Sequence, residues 1–206
     1  PMPGTAAKAT AAAAVVDRTV SSEFVKGKVW MVSTADHNVA VQIGDEGILV
    51  VDPGRQELGA AVLAEIRRLG GNKPVRQLIE TSSDLSRIGA GAIVGTPLVA
   101  GGQRPNVIAH ESVGLRLGRA KASGDLIPND TLFRGKRDIF FNGEAVEIIH
   151  VPAAHTDGDV IVFFRGSDVV VTGALVANRS YPDISVADGG SIRGTVNGLN
   201  RILDIT

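Results

Sequence analysis

The sequence predicts a layered α/β domain, and three observations predict it. The alternating segment Asn38 to Ile43 passes through the turn Gly44-Asp45-Glu46-Gly47 into Ile48-Leu49-Val50-Val51. That run is apolar on both faces, as an interior strand requires. A helical pattern and a further strand, Val75 to Thr81, follow it, so the chain reads β-turn-α-β. Strands and then a helix recur in the second half, which suggests two similar half-units packed sheet on sheet with helices outside.

The elements follow in order. Val25 to Ser33 reads as a strand, with Val25, Val29 and Met31 alternating against Lys26, Lys28 and Trp30. After the strand ending at Val51, Asp52-Pro53-Gly54 is a stop. Gln56 to Leu69 then places Leu58, Ala61, Val62, Ile66 and Leu69 at helical spacing, and Gly70-Gly71 ends the helix. Val107 to Ala109 is a short strand and Glu111 to Ala120 an amphipathic helix. Ser123 to Arg137 is polar, with Gly and Pro, and reads as a long loop. Extended segments return at Ile139 to Phe141, Ala145 to Val151, Val160 to Phe164 and Val169 to Thr172. Asn142-Gly143 between the first two is a two-residue hairpin signal. Ser191 to Ile205 carries Ile192, Val196, Leu199, Ile202 and Leu203, a final amphipathic helix with Ser191 as N-cap.

Composition narrows the function. The 206 residues are 44% hydrophobic and include no Cys, so one large domain is expected and Cys-based metal sites, nucleophiles and disulfides are excluded. With 21 basic and 22 acidic residues, the chain has no global field for nucleic acid or an anionic membrane. Aromatics are 4% of the chain, too few for base-stacking platforms. No stretch reaches the roughly 18 apolar residues of a transmembrane helix. The chain opens on Pro1, and Ala6 to Val16 reads as a tether, a post-leader segment or a frayed end. The expected organisation is therefore a tether over residues 1–23 and a domain over 24–206.

Four segments carry a family resemblance. They are Asn38 to Gly54; Leu78-Ile79-Glu80-Thr81 with Gly89-Ala90-Gly91; Val107 to Glu111; and His150 to Asp159 with Gly173-Ala174-Leu175 and Tyr181-Pro182. In this order they resemble the metallo-β-lactamase superfamily, nearest its periplasmic-type hydrolase and cyclase-like members. The resemblance implies a four-layer αββα sandwich, C-terminally short, with a site at one edge of both sheets. It also implies one or two zinc ions, held by a T-H-x-H-x-D-H loop, a later His in A-H-T-x-G-D, an Asp after a strand-end Gly, and a last His in G-H-G.

This chain departs from that pattern. Thr81 matches, but Ser82 and Asp84 stand at the first two His positions, Ser86 at the Asp and Arg87 at the next His. His155 keeps its ligand type. Ala174 stands where the bridging Asp follows Gly173, and no G-H-G segment appears before Thr206. A zinc site needs at least three protein ligands; His155 and Asp84 are the weak candidates. At ~4 Å and an effective dielectric of ~20, Arg87 would repel a divalent ion by on the order of 8 kcal/mol. That offsets most of the roughly 10–16 kcal/mol typical of structural zinc. Arg87 is expected to replace the metal as the local positive charge, paired with Asp84 or, across the site, with Asp157.

Ser82 or Ser86 with His155 and Asp84 or Asp157 has the residue types of a Ser-His-Asp triad, but no G-x-S-x-G elbow occurs, and the serines are read as filling vacated space. Asp52 is expected to anchor the loop Thr81 to Gly91. His110 is read as a strand-end or helix-cap residue, His150 as a hydrogen-bonded core or supporting residue, and His37 as solvated.

The expectation is thus a metallo-β-lactamase fold without catalysis, an exported or periplasmic protein serving as a binding, scaffold or assembly subunit. A protein partner or a homo-oligomer is expected, with no nucleic acid and no cofactor. The alternative is a remodelled or zinc-dependent hydrolase of ester, lactam or thioester type.

Overall fold

The computed structural model describes residues 19–98, 101–133, 135–177 and 180–206. The first sheet has seven strands in chain order: β1 (Ser21–Lys26), β2 (Val29–Ser33), β3 (Asn38–Gly44), β4 (Gly47–Val51), β5 (Val75–Ile79), β6 (Asn106–His110) and β7 (Asp130–Leu132). Pairs up to β4 are antiparallel, and those from β4 to β7 are parallel. The parallel crossovers carry α1 (Gly59–Gly70), the single turns α2 (Leu85–Ile88) and α3 (Gly91–Val94), and α4 (Glu111–Arg119). The second sheet is antiparallel, in the order β11-β10-β9-β8, from β8 (Lys136–Phe141), β9 (Glu144–His150), β10 (Val160–Phe164) and β11 (Val169–Val171). Helix α5 (Ile192–Ile205) lies on its outer face.

Strand alternation builds the layers. In β4, Leu49 and Val51 face the second sheet and pack with Val146, Ile148, Val160, Val162 and Phe164. Ile48 and Val50 face the other way, onto Val62 and Ile66 of α1. All five residues of β4 are buried, as its two-sided apolar run predicts. The result is an αββα sandwich. No helix among the described residues is long and apolar enough to cross a membrane.

Three expectations are corrected. Val25 to Ser33 is not one strand: Gly27, at φ +60°, turns the chain between β1 and β2. A methyl group there would lie 2.4 Å from Ser167 Oγ, so the turn packs tightly on the β10–β11 connection. The expected domain boundary before residue 24 moves, because Ser21, Ser22 and Glu23 already pair with Ser33, Val32 and Met31; the expected tether otherwise falls on residues 1–18, outside the described residues. Ser123 to Arg137 is not all loop. It holds a 3₁₀ turn at Gly124–Leu126, then β7, then the start of β8. Strand β7 buries a single apolar side chain, Leu132, and so has no periodicity to read.

The Asn142-Gly143 hairpin forms as expected, with φ values of +53° and +77°. Its Asn142 Nδ2 donates to Gln42 Oε1 (3.2 Å) and to the Gly47 carbonyl (3.1 Å). Glu144 accepts from Gln42 Nε2, Ser167 N and Ser167 Oγ, each at 2.7 Å. Burial works against its charge, but these bonds outweigh it and hold the carboxyl below its usual range. This satisfied polar network closes one end of the sandwich.

Helix α5 meets the second sheet through its small residues. Gly194, Thr195 and Gly198 are buried, and Ile202 and Ile205 are partly buried. A methyl group at Gly194 would lie 1.7 Å from the Ala153 carbonyl oxygen, and one at Gly198 would lie 2.4 Å from Leu175 Cδ2. Ser191 caps the helix, its Oγ accepting from Gly194 N at 3.0 Å.

A buried acid pair lies where the first sheet meets the opposite end. Glu80 follows β5 and is 1% exposed, and neither carboxyl oxygen has a hydrogen-bond partner. Burial, reinforced by Asp52 nearby, pushes it up to about 9.

Three tests follow from this packing and from the buried acid. Gly194→Ala should cost about 3 kcal/mol in urea unfolding, through a clash with backbone. Gly118→Ala in α4 meets open space and should gain about 0.5–1 kcal/mol. Glu80 keeps its proton in the native state up to about pH 9, whereas the unfolded chain releases it near 4.5. Its contribution is therefore fully present below 4.5 and falls steadily as pH rises towards about 9. Glu80→Gln should flatten that fall and melt higher than the parent near pH ~8, by about 2–4 °C per kcal/mol of penalty removed. Equal slopes in melts run across that window would refute the assignment.

Candidate functional site

The candidate residues gather at the C-terminal ends of the parallel strands, where open α/β sheets hold ligands. Asp52, immediately after β4, adopts φ +50° and is 2% exposed. Its carboxylate accepts from Thr81 N at 2.8 Å and from Thr81 Oγ1 at 2.5 Å. Burial pushes this carboxyl up; His37, the Thr81 bonds and Arg87 pull against it. Thr81 also joins the two sheets, its carbonyl accepting from Val160 N at 3.0 Å. Gly173, at φ +56°, presses on it: a methyl group there would lie 2.6 Å from Thr81 Oγ1. Asp52 thus anchors the loop after β5, as expected.

Within that loop the side chains bond locally. Ser82 is fully buried, and its Oγ accepts from Asp84 N at 3.3 Å. Asp84 caps α2, accepting from Ser86 N at 2.9 Å. Ser86 itself is exposed. The Arg87 side chain is 27% exposed; its Nε lies 3.9 Å from Asp84 Oδ2 and its Nη1 donates to the Gly173 carbonyl at 3.4 Å. The guanidinium therefore bridges the loop to the backbone just before Ala174, which is buried.

The expected Asp84 partner of Arg87 is present; the Asp157 partner is corrected. Asp157 belongs to Arg116, whose Nη2 donates to Asp157 Oδ1 at 2.6 Å and to the Asp188 carbonyl at 2.8 Å. Arg116 Nε completes the clamp on Asp188 Oδ1 at 3.2 Å. Hydrogen bonding from Ser185 and the charge of Arg116 hold Asp188 below the usual carboxylate range. Arg116 so ties α4, on the first sheet, to two loops of the second half. The sequence does not single it out, placing it only within the amphipathic helix Glu111 to Ala120.

His155 sits in the loop after β9, and its Nδ1 donates to the Asp183 carbonyl at 2.9 Å. That bond leaves Nε2 as the acceptor nitrogen. Asp84 and His155 thus bond to separate partners, and neither serine bonds the imidazole, so the triad types are present without triad geometry. Thr156 N and Oγ1 donate to Asp159 at 2.7 and 2.9 Å and shape the loop, although burial pushes the Asp159 carboxyl up overall.

The other histidines are occupied. His110 caps α4 through Nδ1, which accepts from Ser112 N at 3.2 Å, and bonds the Phe133 carbonyl through Nε2 at 2.7 Å. His150 bonds the Asp157 carbonyl at 2.8 Å. The two rings stack with centroids 4.0 Å apart, a contact between the sheets that no sequence spacing announced. Burial, together with His110, lowers the His150 basicity. His37 is a correction: it is half-buried, with Nε2 3.0 Å from the Asp52 carbonyl oxygen, and not solvated.

Zinc does not fit these residues. Asp84 is held by Ser86 and Arg87, Ala174 offers no donor, and a permanent cation stands among them. Among the described residues no three His, Asp or Glu side chains converge on one point. The neighbouring surface depression, about 580 Å³, is lined by Arg116, Arg119, Asp157 and Asp188 and not by the loop after β5.

Arg116→Met should release the segment 183–190 while the sandwich stays folded. The local cost should be about 1–2 kcal/mol, since both acids are half exposed. Amide exchange at Asp157, Ser185 and Gly190 should quicken by roughly tenfold, and unchanged exchange would show that the clamp carries no load.

The family model of the metallo-beta-lactamase superfamily matches residues 34–204. A curated relative, 2,4-dinitroanisole O-demethylase subunit alpha of Nocardioides sp. (strain JS1661), is 24% identical over 165 residues, covering 75% of this chain. The chain spans about half of that relative's length, 47%. Among solved structures, a metallo-beta-lactamase from Pontibacter korlensis superposes with TM-score 0.69 at 16% identity, over 90% of this chain and 86% of its own. DIM-1 metallo-beta-lactamase gives 0.70 at 17% identity, over 90% and 83%. With the fold and the family model in agreement over most of its length, the chain belongs to the metallo-β-lactamase superfamily.

Proposed function

We propose that this chain is a binding, scaffold or assembly subunit that uses the metallo-β-lactamase fold without its metal chemistry. The observation that carries this reading is the placement of Arg87. Its guanidinium spans Asp84 and the Gly173 carbonyl, between segments that supply metal ligands in the resemblance. A fixed cation there supplies locally the positive charge that the buried Asp52 and the Asp84 cap favour, with no ion to bind. The likeness to a protein named as a subunit of a larger enzyme supports an assembly role.

A hydrolase is the second reading, and one observation favours it. The Asp183 carbonyl holds His155 in the tautomer whose Nε2 accepts a proton, the state of a general base. Ester, lactam and thioester substrates are the classes to screen.

Metal content separates the two. After incubation with excess zinc and desalting, the protein should retain less than about a tenth of an equivalent, far below what structural-site affinities hold. A stoichiometric ion that is lost in His155→Ala would overturn the proposal and favour the hydrolase.

A further inference from the structure

Helix α5 presents an apolar stripe to solvent. Ile192 is 74% exposed, Val196 49%, Leu199 36% and Leu203 74%. Their spacings of four, three and four residues keep them within an arc of about 60° at 3.6 residues per turn. That arc lies about 120° around the helix from Gly194, Thr195 and Gly198, which face the sheet. One side of this helix therefore covers its own domain and another is built like a helix-packing seam.

The stripe is symmetric along the helix. Ile192 and Leu203 are equidistant from a point between Asn197 and Gly198, and so are Val196 and Leu199. A two-fold axis through that point lays a second α5 antiparallel on the first, with Ile192 facing Leu203 and Val196 facing Leu199. Charge follows the same symmetry. Arg193 and Asp204 lie on one flank of the stripe, and an antiparallel pair brings equal flanks together. Each Arg193 then falls within about 3 Å along the axis of the position facing the other copy's Asp204, inside the reach of its side chain. The match is isologous, as a two-fold contact between identical surfaces must be.

We infer that the occupant of this stripe is a second copy of the chain, docked α5 to α5 about a two-fold axis. This does not rest on the metal-free reading, since zinc content and self-association are measured separately. One helix face is at the small end of specific interfaces, so dissociation should lie on the order of tens of micromolar.

Sedimentation equilibrium of the chain, from dilute to several hundred micromolar, tests it. The expected result is a monomer–dimer equilibrium that Leu203→Glu abolishes, with an unchanged melting temperature at concentrations low enough for both proteins to be monomeric, because that side chain is exposed. Arg193→Asp and Asp204→Arg should each weaken association by at least about threefold, and the double exchange should restore it. A monomer throughout would overturn the inference and assign the stripe to a different partner. A dimer indifferent to Leu203→Glu, or an exchange without restoration, would overturn it equally.

Discussion

The Asp52 carboxylate holds the end of the first sheet to the loop that follows β5, and much of the site depends on it. Two donors of Thr81 satisfy it inside the protein, where an unpaired carboxylate would cost several kcal/mol. Thr81 in turn accepts from Val160 of the second sheet and receives the close approach of Gly173. A single buried acid thus fixes the positions of the loop, the opposite sheet and the strand end that carries Ala174. Glu80 beside it cannot also carry charge, which is why the pair resolves into one hydrogen-bonded acid and one held neutral by burial.

Two arginines divide the electrostatics of this end. Arg87 works within the loop and against the Gly173 carbonyl; Arg116 works between α4 and the loops carrying Asp157 and Asp188. Each neutralises acids that the fold brings to one edge, and each joins elements distant in sequence. Tertiary contact at this edge is thereby held by fixed side-chain charges. The stacked His110 and His150 rings add a further contact across the same edge.

At the other face, α5 shows how packing distance inverts a sequence pattern. Glycines let the helix backbone come into contact with the loop at Ala153. Larger residues could not sit there, so the apolar stripe of the helix is turned outward. The helix is amphipathic as read, but its packed side is built on Gly194, Thr195 and Gly198 with Ile202 and Ile205, while four other apolar side chains face outward.

The sequence by itself determined the layers. Alternation in β3, the two-sided run of β4 and the glycine stops placed most strands and helices, because burial on one or both faces writes a period into the chain. Order and segment spacing likewise carried the resemblance to the metallo-β-lactamase superfamily, which the family model matches over residues 34–204. Tertiary structure alone decided which charges meet. Asp157 lies 70 residues from Arg87 and 41 from Arg116, and no local pattern pairs it with either; only the stacking of the two sheets gave it to Arg116. The short strand β7 and the outward stripe of α5 were hidden for the same reason. A single buried side chain has no period, and a helix's buried face depends on what approaches it, which no local pattern records.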